Sequence, residues 1–173
     1  MKTFVQAPYF KRKGEAPSVS SHYKHVKCSD VLKCHISSVL VSNVFYLWYV
    51  SKSNGRDFSK DDYLEYPIGF NELMQSKQTL ESLKKLGKKY IEDMKRNKKR
   101  VIYQKKSGAV VYDQYWVEKS KEIADQIDTV LAQHYNFTEE ELDFIINYDI
   151  KYRMGKELDA YIEGALGSEK GGN

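Results

Sequence analysis

The chain is poor in the residues that mark several large classes of protein. It has two cysteines, Cys28 and Cys34, in 173 residues, too few for the disulfide framework of a small secreted domain. Its three prolines are isolated from one another, and no repeat or low-complexity tract occurs before the polar tail GSEKGGN. Gly87, Gly108 and Gly155 stand alone, so no glycine-rich phosphate loop is present. The most apolar run, from Ile36 to Val50, is interrupted by serines and Asn43 and is shorter than the roughly 20 residues a membrane helix requires. No signal peptide is visible at the start. These absences point to a soluble, cytoplasmic protein.

What is present is enough for one domain with a proper core, or for two very small ones: 41% hydrophobic and 13% aromatic residues argue against global disorder. Tyrosine is abundant at 14 residues; its ring can be buried while its hydroxyl stays wet, which suits thin cores and binding surfaces alike. The net charge of +4 conceals an asymmetry. Residues 71–106 hold 12 Lys and Arg against 4 Asp and Glu, whereas residues 122–173 hold 4 against 12. A basic middle beside an acidic end fits a surface that faces a polyanion on one side only, or a well-solvated pair of helices.

Periodicity predicts a helix-rich α+β domain over residues 1–155 with one or two small β-hairpins, followed by a short helix and mobile tail over 156–173. The segment from Thr3 to Lys24 reads as strand, turn and extended loop, with Lys11-Arg12-Lys13-Gly14 at a tip. One helix is expected from Ser29 or Asp30 to Lys52; it is apolar all round from Val44 to Val50 and so belongs at the centre. An Asn54-Gly55 turn follows, then a helical turn capped by Ser59. From Asn71 to Asn97 a heptad-like seam combines Leu73, Leu80, Gly87 and Met94 with Ser76, Leu83 and Tyr90. Two strands then flank a Lys-Lys-Ser-Gly turn, and a helix from Val117 to His134 turns Ala124, Ile127 and Leu131 inward. The next helix is specified at its start: Thr138 and Glu141 form a capping box, and Phe137 with Leu142 a hydrophobic staple. Glu139, Glu140 and Glu141 lie at its positive end, Lys151 and Arg153 near its other end, and Gly155 suits a left-handed stop.

Catalytic constellations are sparse. His22, His25, Cys28, Cys34 and His35 fall within a short stretch, but their spacing matches no standard zinc pattern. Asp149-Ile150-Lys151 has the acid-x-Lys step of some metal-dependent nucleases, yet it lies in a helix, where alternate residues face different ways. A Cys–His nucleophile would lack an oxyanion site and an orienting group. No catalytic centre, cofactor site or metal site is expected in this chain.

Two segments, with the hairpin between them, carry a resemblance that covers most of the chain from about residue 37 to 155. The stretch VLVSNVFYLWYVSKSNGRDFSKDDYLEYPI, from Val39 to Ile68, resembles the helix and loop that follow the catalytic domain of adenine-specific DNA methyltransferases of restriction-modification systems. The stretch from Val117 to Gly155 is similar to the C-terminal end of the same proteins, especially the type IIG class fused to an endonuclease. The resemblance implies the target-recognition part of a bilobal enzyme. The glycine-rich S-adenosylmethionine loop and the Asn/Asp-Pro-Pro-aromatic motif of the other lobe are absent, so S-adenosylmethionine, and Mg for any nuclease, would belong to the parent protein. The implied partners are double-stranded DNA and the missing methyltransferase lobe. Asn136 stands where similar sequences have Gly.

On that reading the last helix is a structural clasp, packed on the helix from Val117 and on the long helix, with its acids away from DNA. DNA would be met by Lys11, Arg12 and Lys13, by Arg56 and Lys60, by Lys98, Lys99 and Arg100, and by Lys105 and Lys106. Arg56 can contact DNA in bidentate fashion or pair with Asp57 or Asp62. A second reading is a protein-interaction module whose 71–97 seam pairs with another helix.

Overall fold

In the computed structural model, residues 8–19, 25–30, 32–53 and 58–148 are described. The Asn54-Gly55 turn, Arg56, the Asp149-Ile150-Lys151 step, Arg153, the Gly155 stop and the segment 156–173 lie outside them.

The expected central helix is two helices. Helix α1 spans Lys33–Val41 and α2 spans Asn43–Lys52. Between them Ser42 leaves helical geometry, with ψ 154°, and its Oγ accepts a hydrogen bond from the Phe45 N–H at 3.0 Å. Asp128 reinforces the break from far along the chain. Its Oδ1 accepts from the backbone N–H groups of Asn43, at 2.7 Å, and Val44, at 3.3 Å. The first amides of a helix have no partner within it, and here a buried carboxylate supplies one. Only Val44 and Phe45 of the apolar 44–50 run are buried; the others are half-buried.

The heptad segment is likewise divided. Helix α4 (Phe70–Gln75) ends where Ser76 caps α5 (Lys77–Arg96) through the Thr79 N–H. Between α2 and α4 lies the short α3 (Asp61–Leu64), with Ser59 and Asp62 bonded reciprocally ahead of it. The seam of α5 is inside the molecule: Leu83, Gly87, Tyr90, Ile91 and Met94 are buried, and the helix packs on α1 and α6. Its lysines Lys84, Lys85, Lys88 and Lys89 face outward.

A 3-10 turn at Val117–Ser120 leads into α6 (Lys121–Tyr135), whose Ile123, Ala124, Ile127, Leu131 and Ala132 are buried. Asn136 closes α6 in the left-handed region, at φ 57° and ψ 40°, and the Phe137 N–H returns to the Ala132 carbonyl at 2.9 Å. Helix α7 (Glu139–Asn147) opens with the full Thr138/Glu141 capping box. It packs on α6 and α2, burying Ile145 while Phe144 remains 58% exposed. These are the two packing partners expected of it.

The strands form one sheet instead of separate hairpins. Strand β1 (Phe10–Arg12) pairs with β3 (Gly108–Gln114), which pairs with β2 (Lys99–Lys105), all antiparallel in the order β1-β3-β2. Phe10 also bridges back to Ser18. The hydrophobic core lies among the helices, around Phe45, Leu83, Tyr90, Ile127 and Leu131. The sheet makes its contacts chiefly among its own strands. No described helix is long and apolar enough to cross a membrane.

Candidate nucleic-acid interface

The β2–β3 hairpin turns through Lys106 and Ser107, and its two-residue turn sets the register Lys105↔Gly108, Tyr103↔Val110, Val101↔Tyr112 and Arg100↔Asp113. Gly108, at φ +115°, makes the turn possible. Strand β1 adds Arg12 opposite Val110 and Phe10 opposite Tyr112. The Lys13 N–H then bonds to the Ala109 carbonyl at 2.9 Å, and the Lys13 side chain lies over Gly108. The sequence-predicted cations Arg12, Lys13, Lys105 and Lys106 are thereby gathered at one end of the sheet, and all are exposed. Lys11 is half-buried on β1.

Alternation along the strands divides the remaining side chains between two faces. One face carries Lys98, Arg100, Ile102, Lys11, Tyr9 and Asp113. There Asp113, only 3% exposed in its side chain, accepts from Lys98 Nζ at 3.0 Å and from Arg100 Nε at 2.8 Å. The Arg100 guanidinium also stacks 4.0 Å from the Tyr9 ring centre. The hydrogen bond from Arg100, helped by that from Lys98, holds the Asp113 carboxyl below the usual carboxylate range, and the same bond raises Arg100. These two cations therefore lock the sheet to itself, and of the run Lys98-Lys99-Arg100 only Lys99 points to the other side.

That second face carries Lys99, Val101, Tyr103, Lys105, Val110, Tyr112, Gln114, Phe10 and Arg12. Cations lie against its rings: Arg12 is 5.6 Å from the Phe10 centroid, Lys105 is 5.9 Å from that of Tyr103, and Lys99 and Lys119 are each 5.8 Å from that of Trp116. Tyr103 is 55% exposed. Runs of charge in the sequence do not single out these aromatics. The alternation of Val101, Tyr103 and Lys105 in β2, and of Val110, Tyr112 and Gln114 in β3, is the signal that does.

Lys60 belongs to the helical body, ahead of α3 and beside the cluster of Phe58, Tyr63, Tyr49 and Phe45, and is not joined to the sheet. Arg56 and Asp57 lie outside the described residues, and Asp62 accepts from the Ser59 N–H. Cys34 lies in α1 against Gly87, and Cys28 is exposed. Among the described residues no three His, Cys, Asp or Glu side chains gather as a metal site. The sheet segments 9–13 and 98–114 together hold eight Lys and Arg and one carboxylate, a larger excess than the seven against three of α5. No protein-family model, curated protein or solved structure matches this chain.

Proposed function

We propose that this chain is a non-catalytic, sequence-specific double-stranded DNA-recognition domain, the specificity part of an adenine-specific restriction-modification methyltransferase whose other lobe does the chemistry. One observation carries the DNA reading: a sheet that stands apart from the helical core and holds eight cations against a single carboxylate. A two-stranded β-ribbon fits the major groove of B-DNA. Arg12, Lys13, Lys105 and Lys106, at the turn end of the sheet, suit the phosphates on either side of such a groove. The assignment to a methyltransferase rests on the resemblance of residues 39–68 and 117–155. The S-adenosylmethionine and any Mg of the parent enzyme fall to the lobe that this chain lacks. The seam of α5 packs on α1 and α6, so the competing reading, pairing through residues 71–97, would have to use a face of that segment other than the α5 seam.

The test is selection from a pool of random duplexes, with the retained fraction sequenced. Enrichment of one short sequence supports a recognition domain. Retention without enrichment removes sequence specificity, and no retention at low salt removes DNA.

A further inference from the structure

The charge on the sheet accounts for phosphate binding but not for the rings. Phe10 and Tyr112 are direct cross-strand neighbours, and Tyr103 lies one pair further along the same face, opposite Val110. Side chains directly opposite on one face are roughly 5 Å apart, and diagonal ones roughly 7–8 Å. Three rings thus lie on one face of the sheet, one from each strand, with Tyr103 exposed and Phe10 and Tyr112 half-buried, and the contacts of the sheet are chiefly among its own strands. Trp116, just past the end of β3, continues the row between Lys99 and Lys119.

A duplex hides the faces of its bases in its own stack, so a row of flat rings has nothing to stack on there. An unpaired strand offers those faces. Aromatic platforms inside a basic groove are the general solution for holding single strands, because every base has a π-face whatever its sequence. The cations are placed to the same end, since Arg12, Lys99 and Lys105 flank the rings of this face. Lys98 and Arg100 share the single carboxylate of Asp113 on the reverse. The two faces are therefore different in kind, one internally paired and one open to an anion.

We infer that the Phe10–Tyr112–Tyr103 face of the sheet is a binding site for single-stranded nucleic acid, stacking unpaired bases on its rings while Arg12, Lys99 and Lys105 hold the phosphates. The inference rests on the nucleic-acid reading above and adds a second mode to it: the turn end meets duplex, and the ring face holds bases that have left the stack.

The full chain is titrated with a fluorescein-labelled 12-nucleotide DNA and with its duplex, by anisotropy at two salt concentrations. Trp116 emission is followed in parallel, with Trp116→Phe as control. The expected result is single-strand binding with quenching of Trp116. Tyr103→Leu, at an exposed position that leaves the fold intact by thermal melting, weakens single-strand affinity about tenfold. Tyr103→Phe retains it, and duplex affinity is unchanged in both variants. If Tyr103→Leu binds the single strand as well as the parent while duplex binding persists, the platform is overturned and the DNA reading stands. If neither form of DNA binds at low salt, both are overturned.

Discussion

Asp128 and Asn43, 85 residues apart, are joined by two hydrogen bonds inside the core. The Asn43 backbone N–H donates to Asp128 Oδ1 at 2.7 Å, and Asn43 Nδ2 donates to Oδ2 at 2.6 Å. Neither residue is more than 2% exposed. Burial pushes the Asp128 carboxyl up to about 7, against the pull of the Val44 and Asn43 donors. Asn43 Oδ1 is buried and has no hydrogen-bond partner among the described residues.

Asp128→Ala leaves the first amides of α2 unsatisfied and a void beside them, and should cost about 2–4 kcal/mol of unfolding free energy. Asp128→Asn behaves differently. With the Asn43 amide turned over, its new NH2 can donate to Asn43 Oδ1, and its oxygen still accepts from the α2 amides. At pH 7–8 it should lie within about 1 kcal/mol of the parent or above it. The pH dependence has a fixed sign. A carboxyl raised on folding binds its proton more readily in the folded state. Its contribution is complete below about pH 4 and is lost as pH rises through about 7. The stability of the parent relative to Asp128→Asn should therefore fall across that window, as read by urea unfolding at several pH values.

Asp113 has the opposite sign. Its carboxyl is lowered by Arg100 and Lys98, so the stability it lends the sheet is present above about pH 4 and lost as pH falls further. Amide-exchange protection in β3, measured against the intrinsic rate at each pH, should fall below that pH before protection in α6 does. Asp113→Asn should lower that β3 protection already at neutral pH.

A β-carbon built on Gly87 would crowd the Cys34 carbonyl oxygen at 2.1 Å. That neighbour is backbone, so α1 and α5 must separate to admit even alanine. Overpacking of this kind costs about 1–3 kcal/mol. It outweighs the ~1 kcal/mol that alanine gains over glycine within a helix. Gly87→Ala should lower the denaturation midpoint, whereas Lys88→Ala, exposed on the same helix, should not.

Asn136 holds the left-handed turn between α6 and α7. Asn136→Gly should be neutral or slightly stabilising, and Asn136→Ala should cost about 1 kcal/mol. Thermal melting separates the two.

Local grammar makes much of this fold legible. The Thr138 capping box, the Asn136 turn, the inward face of α6 and the β2–β3 turn are all specified by residues within a few positions of one another. The breaks at Ser42 and Ser76 are hidden, because apolar periodicity runs straight through both. The first also depends on a carboxylate 85 residues away. The joining of β1 to β3 depends on a pairing roughly 100 residues long, which no local pattern encodes. At the site, lysine runs show where charge is but not which charges are free. Once a two-residue turn sets Lys105 opposite Gly108, counting back places Arg100 opposite Asp113. That counter-ion is within reach of the sequence.

Duplex affinity across a salt series, for the parent and for a variant with Arg12, Lys13, Lys105 and Lys106 changed to alanine, bears most directly on the proposed DNA contact. The side chains are exposed, so circular dichroism should report an unchanged fold. Each lost phosphate contact lowers the slope of log affinity against log salt by about 0.9. The expected result is a steep slope for the parent and a slope shallower by roughly 2–4 for the variant, with weaker binding at every salt concentration. Equal slopes and equal affinities would contradict a DNA contact through the turn end of the sheet.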